Sequence, residues 1–239
     1  RALAEAAGDV PLIADGDTGH GGVLNVARMV RLYEQAGAAA IQIEDQVFPK
    51  RCGHMAGKAV IDAGEAAAKV AAAVAARDSD DFLIIARTDA RAVTTLDDAL
   101  RRGAAFADAG ADVLFIEAPQ SLDEMHKVAE TFQGIPLVAN MWEEGKTPYL
   151  DIATVQELGF KLAIYPVSTL LVVTRALQAA YAAMLGAGRL PEGLPTDNVS
   201  VAPPRDAAHG DMAPNAALDQ ATPAKMKPRD IAEALAKVL

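Results

Sequence analysis

Two aspartates one residue apart, Asp15 and Asp17, lie in the run Asp15-Gly16-Asp17-Thr18-Gly19. Carboxylates at that spacing can turn toward a common point. Hard oxygen donors with no cysteine or histidine beside them suit Mg2+, which keeps several waters and takes one or two protein carboxylates; Mn2+ accepts the same donors. The run would also make a plain turn, because Asp and Gly favour turn geometry without any ligand. Glu44, Asp45 and Glu117 strengthen the metal reading, since each follows an apolar run like the one before Asp15. Carboxylates gathered on one face repel one another unless a cation joins them. Arg87 could neutralise part of that charge, so a metal is favoured rather than required.

The second candidate is Lys50-Arg51-Cys52-Gly53-His54. A thiol flanked by two cations and a histidine is expected to ionise readily, and to act as nucleophile or proton donor. A lone cysteine is more often buried and inert, but charged neighbours on both sides argue against burial here. The surrounding stretch, 47–58, is rich in Gly and Lys, as a mobile lid would be. His20 sits among Gly19, Gly21 and Gly22 ahead of a helix, where an anion could bind, although the spacing is not that of a dinucleotide site. Trp142 is expected to wall the pocket; Glu143, Glu144, His126 and His209 read as solvated.

One grammar places these residues. A helical pattern stops at glycine, a short apolar run follows, and the run ends in polar side chains. The runs are 11–14, 39–43, 82–86, 113–116, 136–139 and 162–165. Continuous apolar runs of this length read as strands buried on both faces, as in a parallel sheet. Helices are expected over 25–36, from Asp62 to 76, from Thr95 to near Gly110, from Ser121 to near Gly134, over 151–158 and over 169–185. Asp62 with Glu65, Thr95 with Asp98 and Ser121 with Glu124 supply N-terminal caps. Six βα units allow an open doubly wound sheet or a (β/α)8 barrel short of two units. All six runs end in charged or hydrogen-bonding residues, which favours the barrel, where every strand delivers its C-terminal end to one shared face. Residues 1–186 are therefore assigned to the barrel and 187–239 to an extended arm closed by a short helix.

The 239 residues carry 22 Lys and Arg against 32 Asp and Glu, a net charge of −10. Such a surface repels phosphate backbones and anionic lipid, so no nucleic-acid or membrane partner is expected. Aromatics are only 5% of residues, so the core must be built from Ala, Val, Leu and Ile. The single cysteine excludes an intrachain disulfide. The longest apolar stretch, 162–173, is too short to span a bilayer and is interrupted by Pro166 and Ser168. No basic-then-apolar leader opens the chain, so a cytoplasmic location is expected.

Lys50-Arg51-Cys52-Gly53-His54-Met55 resembles the signature hexapeptide of isocitrate lyases. Asp15-Gly16-Asp17-Thr18-Gly19, Ile43-Glu44-Asp45-Gln46, Ala86-Arg87-Thr88-Asp89-Ala90 and Ala139-Asn140 resemble motifs of the wider isocitrate lyase/phosphoenolpyruvate mutase superfamily. The resemblance runs from about residue 9 to 185 and begins at the third barrel strand. It implies a (β/α)8 barrel, a homotetramer, and a last helix exchanged between subunits. It implies Mg2+ held by Asp15 and Asp17, with Glu44 acting through metal-bound water. Cys52 would be the catalytic thiol, and Gly53 and His54 would contact a substrate carboxylate. Arg87, Glu117 and Asn140 would bind substrate around the metal. The branch most resembled cleaves substituted malates such as 2,3-dimethylmalate. The stretch Ser168-Thr169-Leu170-Leu171 lacks the arginine with which methylisocitrate lyases hold a further carboxylate, and Leu171 suits a methyl group instead. The implied activity is retro-Claisen cleavage of a 2-hydroxy dicarboxylate. Oxaloacetate hydrolysis, methylisocitrate cleavage and a non-catalytic binding barrel are the rivals.

Overall fold

The computed structural model describes residues 1–52, 55–143 and 145–187; Gly53, His54, Glu144 and the arm and closing helix assigned to 187–239 lie outside it, apart from Ala187. Along the chain run α1 (Ala2–Ala7), β1 (Ile13–Asp15), α2 (Val23–Gln35), β2 (Ala40–Glu44), α3 (Ala63–Ala76), β3 (Leu83–Thr88), α4 (Ala90–Val93), α5 (Leu96–Asp108), β4 (Val113–Ile116), α6 (Leu122–Thr131), β5 (Val138–Asn140), α7 (Ile152–Glu157), β6 (Leu162–Ile164) and α8 (Ser168–Ala187). All six expected strands form. The single-turn helix α4 and the short helix α1 were not expected, because neither is long enough to show a period.

The strands pair in sequence order and all in parallel. β1 to β4 form one sheet, β5 and β6 another, and a parallel bridge from Leu114 to Leu137 links the two. A doubly wound sheet reverses its strand order at a switch point. No reversal occurs here, so the chain is an arc of a (β/α) barrel. The three caps the sequence placed all form: Asp62 accepts from the backbone N–H of Gly64 and Glu65, Thr95 from Asp98 and Ser121 from Glu124; Asp151 caps α7 in the same way by accepting from Thr154, while α2 starts at Gly22 without a side-chain cap. These caps satisfy donors that a helix start otherwise leaves bare.

Side chains along a strand alternate between the two faces, and that parity sorts the core. Ile41, Ile43, Ile84, Ala86, Leu114 and Ile116 face the helices and pack with Val26, Val30, Val70, Phe106 and Met125. Ala40, Ile85, Val113, Phe115 and Val138 face the other way, toward the barrel interior, with Leu162 and Ile164 packed against them. The core is aliphatic with a few phenylalanines, as the composition requires. Two compact units divide the chain, Arg1–Leu177, which holds every strand, and Gln178–Leu239, whose described part is the end of α8.

Over Ser168–Gly186, α8, which the sequence places at 169–185, is long and apolar enough to cross a membrane by length and composition alone, a condition that helices of proteins outside membranes also meet. Pro166 and Ser168 precede or open the helix, and a lone Thr or Gln within it does not interrupt helical structure.

Candidate active site

Counting by twos along each strand brings the same-facing polar residues to one end of the interior. Asp15 ends β1, Glu44 ends β2, Arg87 lies near the end of β3, Glu117 follows β4 and Asn140 ends β5. A cavity of about 400 Å3 opens there. Asp15, Lys50, Cys52, Arg87, Glu117, Asn140 and Trp142 line it, over a floor that includes Ile85, Val138, Leu162 and Ile164. Asp15, Cys52, Arg87, Glu117, Asn140 and Trp142 thus meet where the sequence reading placed them together. His20 is exposed and outside the cavity. Gly53 and His54 lie outside the described residues.

Gly16 lets the first loop approach β2. A Cβ there would sit 2.9 Å from the Gln42 carbonyl oxygen and 3.0 Å from Ile41 and Met29 side-chain atoms. The Gly16 N–H donates to Gln42 O, and the Glu44 N–H donates to Asp17 O. Asp17 adopts φ 49°, a left-handed conformation that aspartate tolerates, and its N–H donates to Asp15 Oδ1 at 2.9 Å. The loop therefore carries Asp15 and Asp17 up beside Glu44.

These three carboxylates all face one ammonium. Lys50 Nζ lies 3.0 Å from Asp17 Oδ1, 3.7 Å from Asp15 Oδ2 and 3.8 Å from Glu44 Oε1. Partial burial opposes the charge on Lys50, but the Asp17 hydrogen bond and the Glu44 and Asp15 charges hold its pKa above the usual range. Among the described residues no three Asp, Glu, His or Cys side chains close around a single point as metal ligands. The donor chemistry still fits a hard divalent cation. Glu44 is fully buried, and neither of its carboxylate oxygens accepts a hydrogen bond. Burial pushes its pKa up to about 7, with the Arg87 charge pulling down and Asp89 pushing up. A buried carboxylate without donors is costly unless a cation meets it.

Arg87 is the central cation. It stacks over the Phe115 ring at 5.0 Å and faces Glu44 Oε2 at 3.5 Å and Glu117 Oε1 at 3.6 Å. Asp89 grips it from behind, accepting from Nε at 2.9 Å and Nη2 at 3.1 Å. Burial works against the Arg87 charge, yet Glu117, Asp89 and Glu44 together hold its pKa above the ordinary value. Asn140 Nδ2 donates to both Glu117 oxygens at 3.3 Å.

Asp45 is not part of this group. Opposite parity turns it toward the helices, where it accepts from Thr88 Oγ1, Asp89 N and Arg102 Nη1. Leu171 is also misplaced by the sequence reading. It is half-exposed on α8, and Pro166 and Val167 line the cavity in its stead. Glu143, expected to be solvated, is partly buried; the Ser168 hydroxyl and the Tyr149 phenol donate to it.

Sequence reasoning missed Gln46 and Lys58. Gln46 is buried and clasps the Arg51 backbone, donating to its O at 2.8 Å and accepting from its N at 2.9 Å. Lys58, partly buried with its side chain shielded from water, donates to Asp89 at 2.7 Å. Gln46 stood inside a quoted motif, so its place beside the cysteine segment was a usable signal. Lys58 offered none beyond its location at the end of that segment.

An in-order parallel arc with its ionisable side chains at the strand C-termini is the layout of a barrel whose site is built from the βα loops. The family profile described as phosphoenolpyruvate phosphomutase matches residues 1–185. The chain belongs to that family, within the isocitrate lyase/phosphoenolpyruvate mutase superfamily. It is 49% identical over 184 residues to 2,3-dimethylmalate lyase of Eubacterium barkeri, covering 77% of this chain and 63% of that one. It is 51% identical over 160 residues to 2-methylisocitrate lyase of Aeropyrum pernix, covering 67% and 51%. Among solved structures, 2,3-dimethylmalate lyase superposes with a TM-score of 0.77 at 37% identity, over 82% of this chain and 65% of that one. Oxaloacetate acetylhydrolase bound to 3,3-difluorooxalacetate gives 0.74 at 34%, over 79% and 64%. Phosphonopyruvate hydrolase complexed with oxalate and Mg2+ gives 0.69 at 32%, over 82% and 68%. The chain thus spans between half and two thirds of the length of these curated relatives. A second profile, described as arginyl tRNA synthetase N terminal domain, matches 172–239, mostly beyond the described residues.

Proposed function

We propose that the chain is the larger part of a Mg2+-dependent carbon–carbon lyase that cleaves a 2-hydroxy dicarboxylate, a substituted malate of the 2,3-dimethylmalate kind, into a 2-oxo acid such as pyruvate and a second carboxylate. The supporting observation is the convergence of Cys52, Arg87, Glu117, Asn140 and Asp15 on one cavity with an apolar floor. The 49% identity to a 2,3-dimethylmalate lyase supports the same reading. Asp15, Asp17 and Glu44 would hold the Mg2+, or Mn2+, and the bound ion would supply a positive charge for the substrate's carboxylate and 2-oxygen.

The chain's own residues do the rest. Arg87, fixed between Asp89 and Phe115, presents a guanidinium to a substrate carboxylate. Glu117 and Asn140 accept and donate to the substrate's oxygens. Ile85, Val138, Ile164 and Val167 exclude water and take the substituent methyls. A general base, not assigned to a residue, takes the 2-hydroxyl proton; as the C2=O bond forms, the C2–C3 bond breaks and its electron pair stays on the fragment that leaves as a carboxylate-stabilised carbanion. The Cys52 thiol gives its proton to that carbon, with His54 and Gly53 beside it on the same segment. α8, with Leu170 and Val172 exposed, is covered by a neighbouring copy in a cytoplasmic homotetramer whose C-terminal segments exchange.

The test is a panel of 2-substituted malates, methylisocitrate and oxaloacetate, each assayed with Mg2+ for 2-oxo acid or oxalate release. Pyruvate from 2,3-dimethylmalate is expected. Oxalate from oxaloacetate as the dominant product would instead favour the hydrolase, and no turnover of any compound would favour a binding protein. Cys52→Ser should lower turnover by about 10²–10⁴-fold with the melting temperature unchanged; near-normal turnover would refute the acid role.

A further inference from the structure

Lys58 has no place in the chemistry above, yet burying its side chain is costly. The Lys58 side chain is 1% exposed and that of its partner Asp89 0%, with 2.7 Å between the ammonium and the carboxylate. An ion pair so far from water holds only while both charges stay paired. Asp89 Oδ1 accepts from Lys58 and from Arg87 Nη2, while Oδ2 accepts from Arg87 Nε. A single carboxylate is thus shared between the cation at the end of the Cys52 segment and the cation that lines the cavity. The Asp89 N–H donates to Asp45 Oδ1, which fixes the carboxylate's own backbone to the end of β2.

The Cys52 segment is anchored at its base. Val47 N donates to Ala59 O, Ile61 N to Asp45 O, and Gln46 bridges Val60. Gln46 clasps the Arg51 backbone on the entry side. Lys58 adds a charged anchor on the exit side, and that anchor is the group that orients Arg87.

We propose that Lys58 is a positioning residue: through Asp89 it sets the direction of Arg87 and ties the Cys52 segment to it, so that the thiol and the carboxylate-binding guanidinium share one frame. Asp89 neutralised by two cations leaves Arg87 with charge to offer the cavity. Asp89 with Arg87 alone would take up the guanidinium fully and draw it back. The proposal rests on the cavity being the binding site for a dicarboxylate.

The experiment uses the full chain, its Lys58→Met, Lys58→Gln and Lys58→Arg variants, and two readouts below the melting temperature of each. The first is oxalate affinity in the presence of MgCl2 by calorimetry. The second is the rate of iodoacetamide alkylation with and without saturating oxalate, which reports Cys52 alone because no other cysteine exists. Lys58→Met should weaken oxalate about tenfold and at least halve the protection that oxalate gives Cys52, and Lys58→Arg should restore both to within two- to threefold. If Lys58→Met does not fold, Lys58→Gln, which keeps a donor without the charge, carries the same expectation. Oxalate affinity within twofold of wild type in the neutral variants, or equal loss in the arginine variant, overturns the proposal, even where the melting temperature falls. Wild-type protein that does not bind oxalate at all would count against the cavity reading itself, and would take the role of Lys58 with it.

Discussion

Glu44 and Asp45 are neighbours at the end of one strand, and both are buried. Their surroundings could hardly differ more. Asp45 faces the helix layer and receives hydrogen bonds from a hydroxyl, a backbone N–H and a guanidinium. Glu44 lies on the interior side, behind Lys50 and Arg87 of the cavity wall; it receives no hydrogen bond, and its nearest cations stand at 3.5 and 3.8 Å. The helix-side charge is satisfied within the fold. The cavity-side charge is held in place with its demand unmet. Satisfied buried charges fix a structure, while an unsatisfied one marks where a ligand's charge is to be supplied.

The largest effect should come from disturbing the satisfied side. Arg102 donates to Asp45, to Ile61 O and to Asp98. Arg102→Met would leave Asp45 buried without its cation, and chemical denaturation should show a loss of about 3–5 kcal/mol at pH 8. Burial already holds the Asp45 pKa above its usual value, against its three hydrogen-bond donors. A carboxyl whose folded pKa is raised favours the native state at low pH and disfavours it as pH rises through that pKa. The deficit should therefore shrink when the titration is repeated near pH 5. A loss below about 1 kcal/mol at pH 8 would show that Asp45 is not the fixed charge described here.

Glu44→Gln should do the reverse on the other side. With the folded pKa near 7 and the ordinary value at 4.5, ionising Glu44 costs the metal-free protein stability as pH rises from about 4.5 through 7. The variant should be more stable than wild type at pH 8, by up to about 3 kcal/mol, and equal to it near pH 4.5. If Glu44 is a donor to Mg2+ as proposed, MgCl2 should raise the melting temperature of the wild type and raise that of the variant less. A variant less stable than wild type at pH 8 in the presence of a chelator would erase the contrast between the two faces.

That contrast was only half legible in the sequence. Apolar runs such as Ala40 to Ile43 are buried on both faces, so they announce a strand without showing which residues look inward. Glu44 and Asp45 were therefore grouped together, and only the pairing register separates them. The strands, the capped helices and the gathering of Asp15, Cys52, Arg87, Glu117 and Asn140 followed from local signals: run length, cap spacing and polar strand ends. Contacts such as Lys58 with Asp89, 31 residues apart, depend on how a loop folds back, and no periodicity encodes that.

The smallest expected effect is the most local. Thr88 Oγ1 donates to Asp45 Oδ2 at 2.7 Å, and its neighbour Arg87 points the opposite way into the cavity. Thr88→Val keeps the shape of the side chain and removes one of the donors to Asp45. A hydrogen bond to a charged group contributes about 1.5–3 kcal/mol, and Arg102 and the Asp89 N–H remain, so a loss of about 1–2 kcal/mol is expected. Because parity keeps position 88 on the helix side, KM for the substrate and the affinity for oxalate should stay within about twofold of wild type. A change in either much larger than the change in stability would mean that the two faces of β3 are coupled through Asp45 and Asp89, and that the division between fixed and available charge runs between side chains rather than between faces.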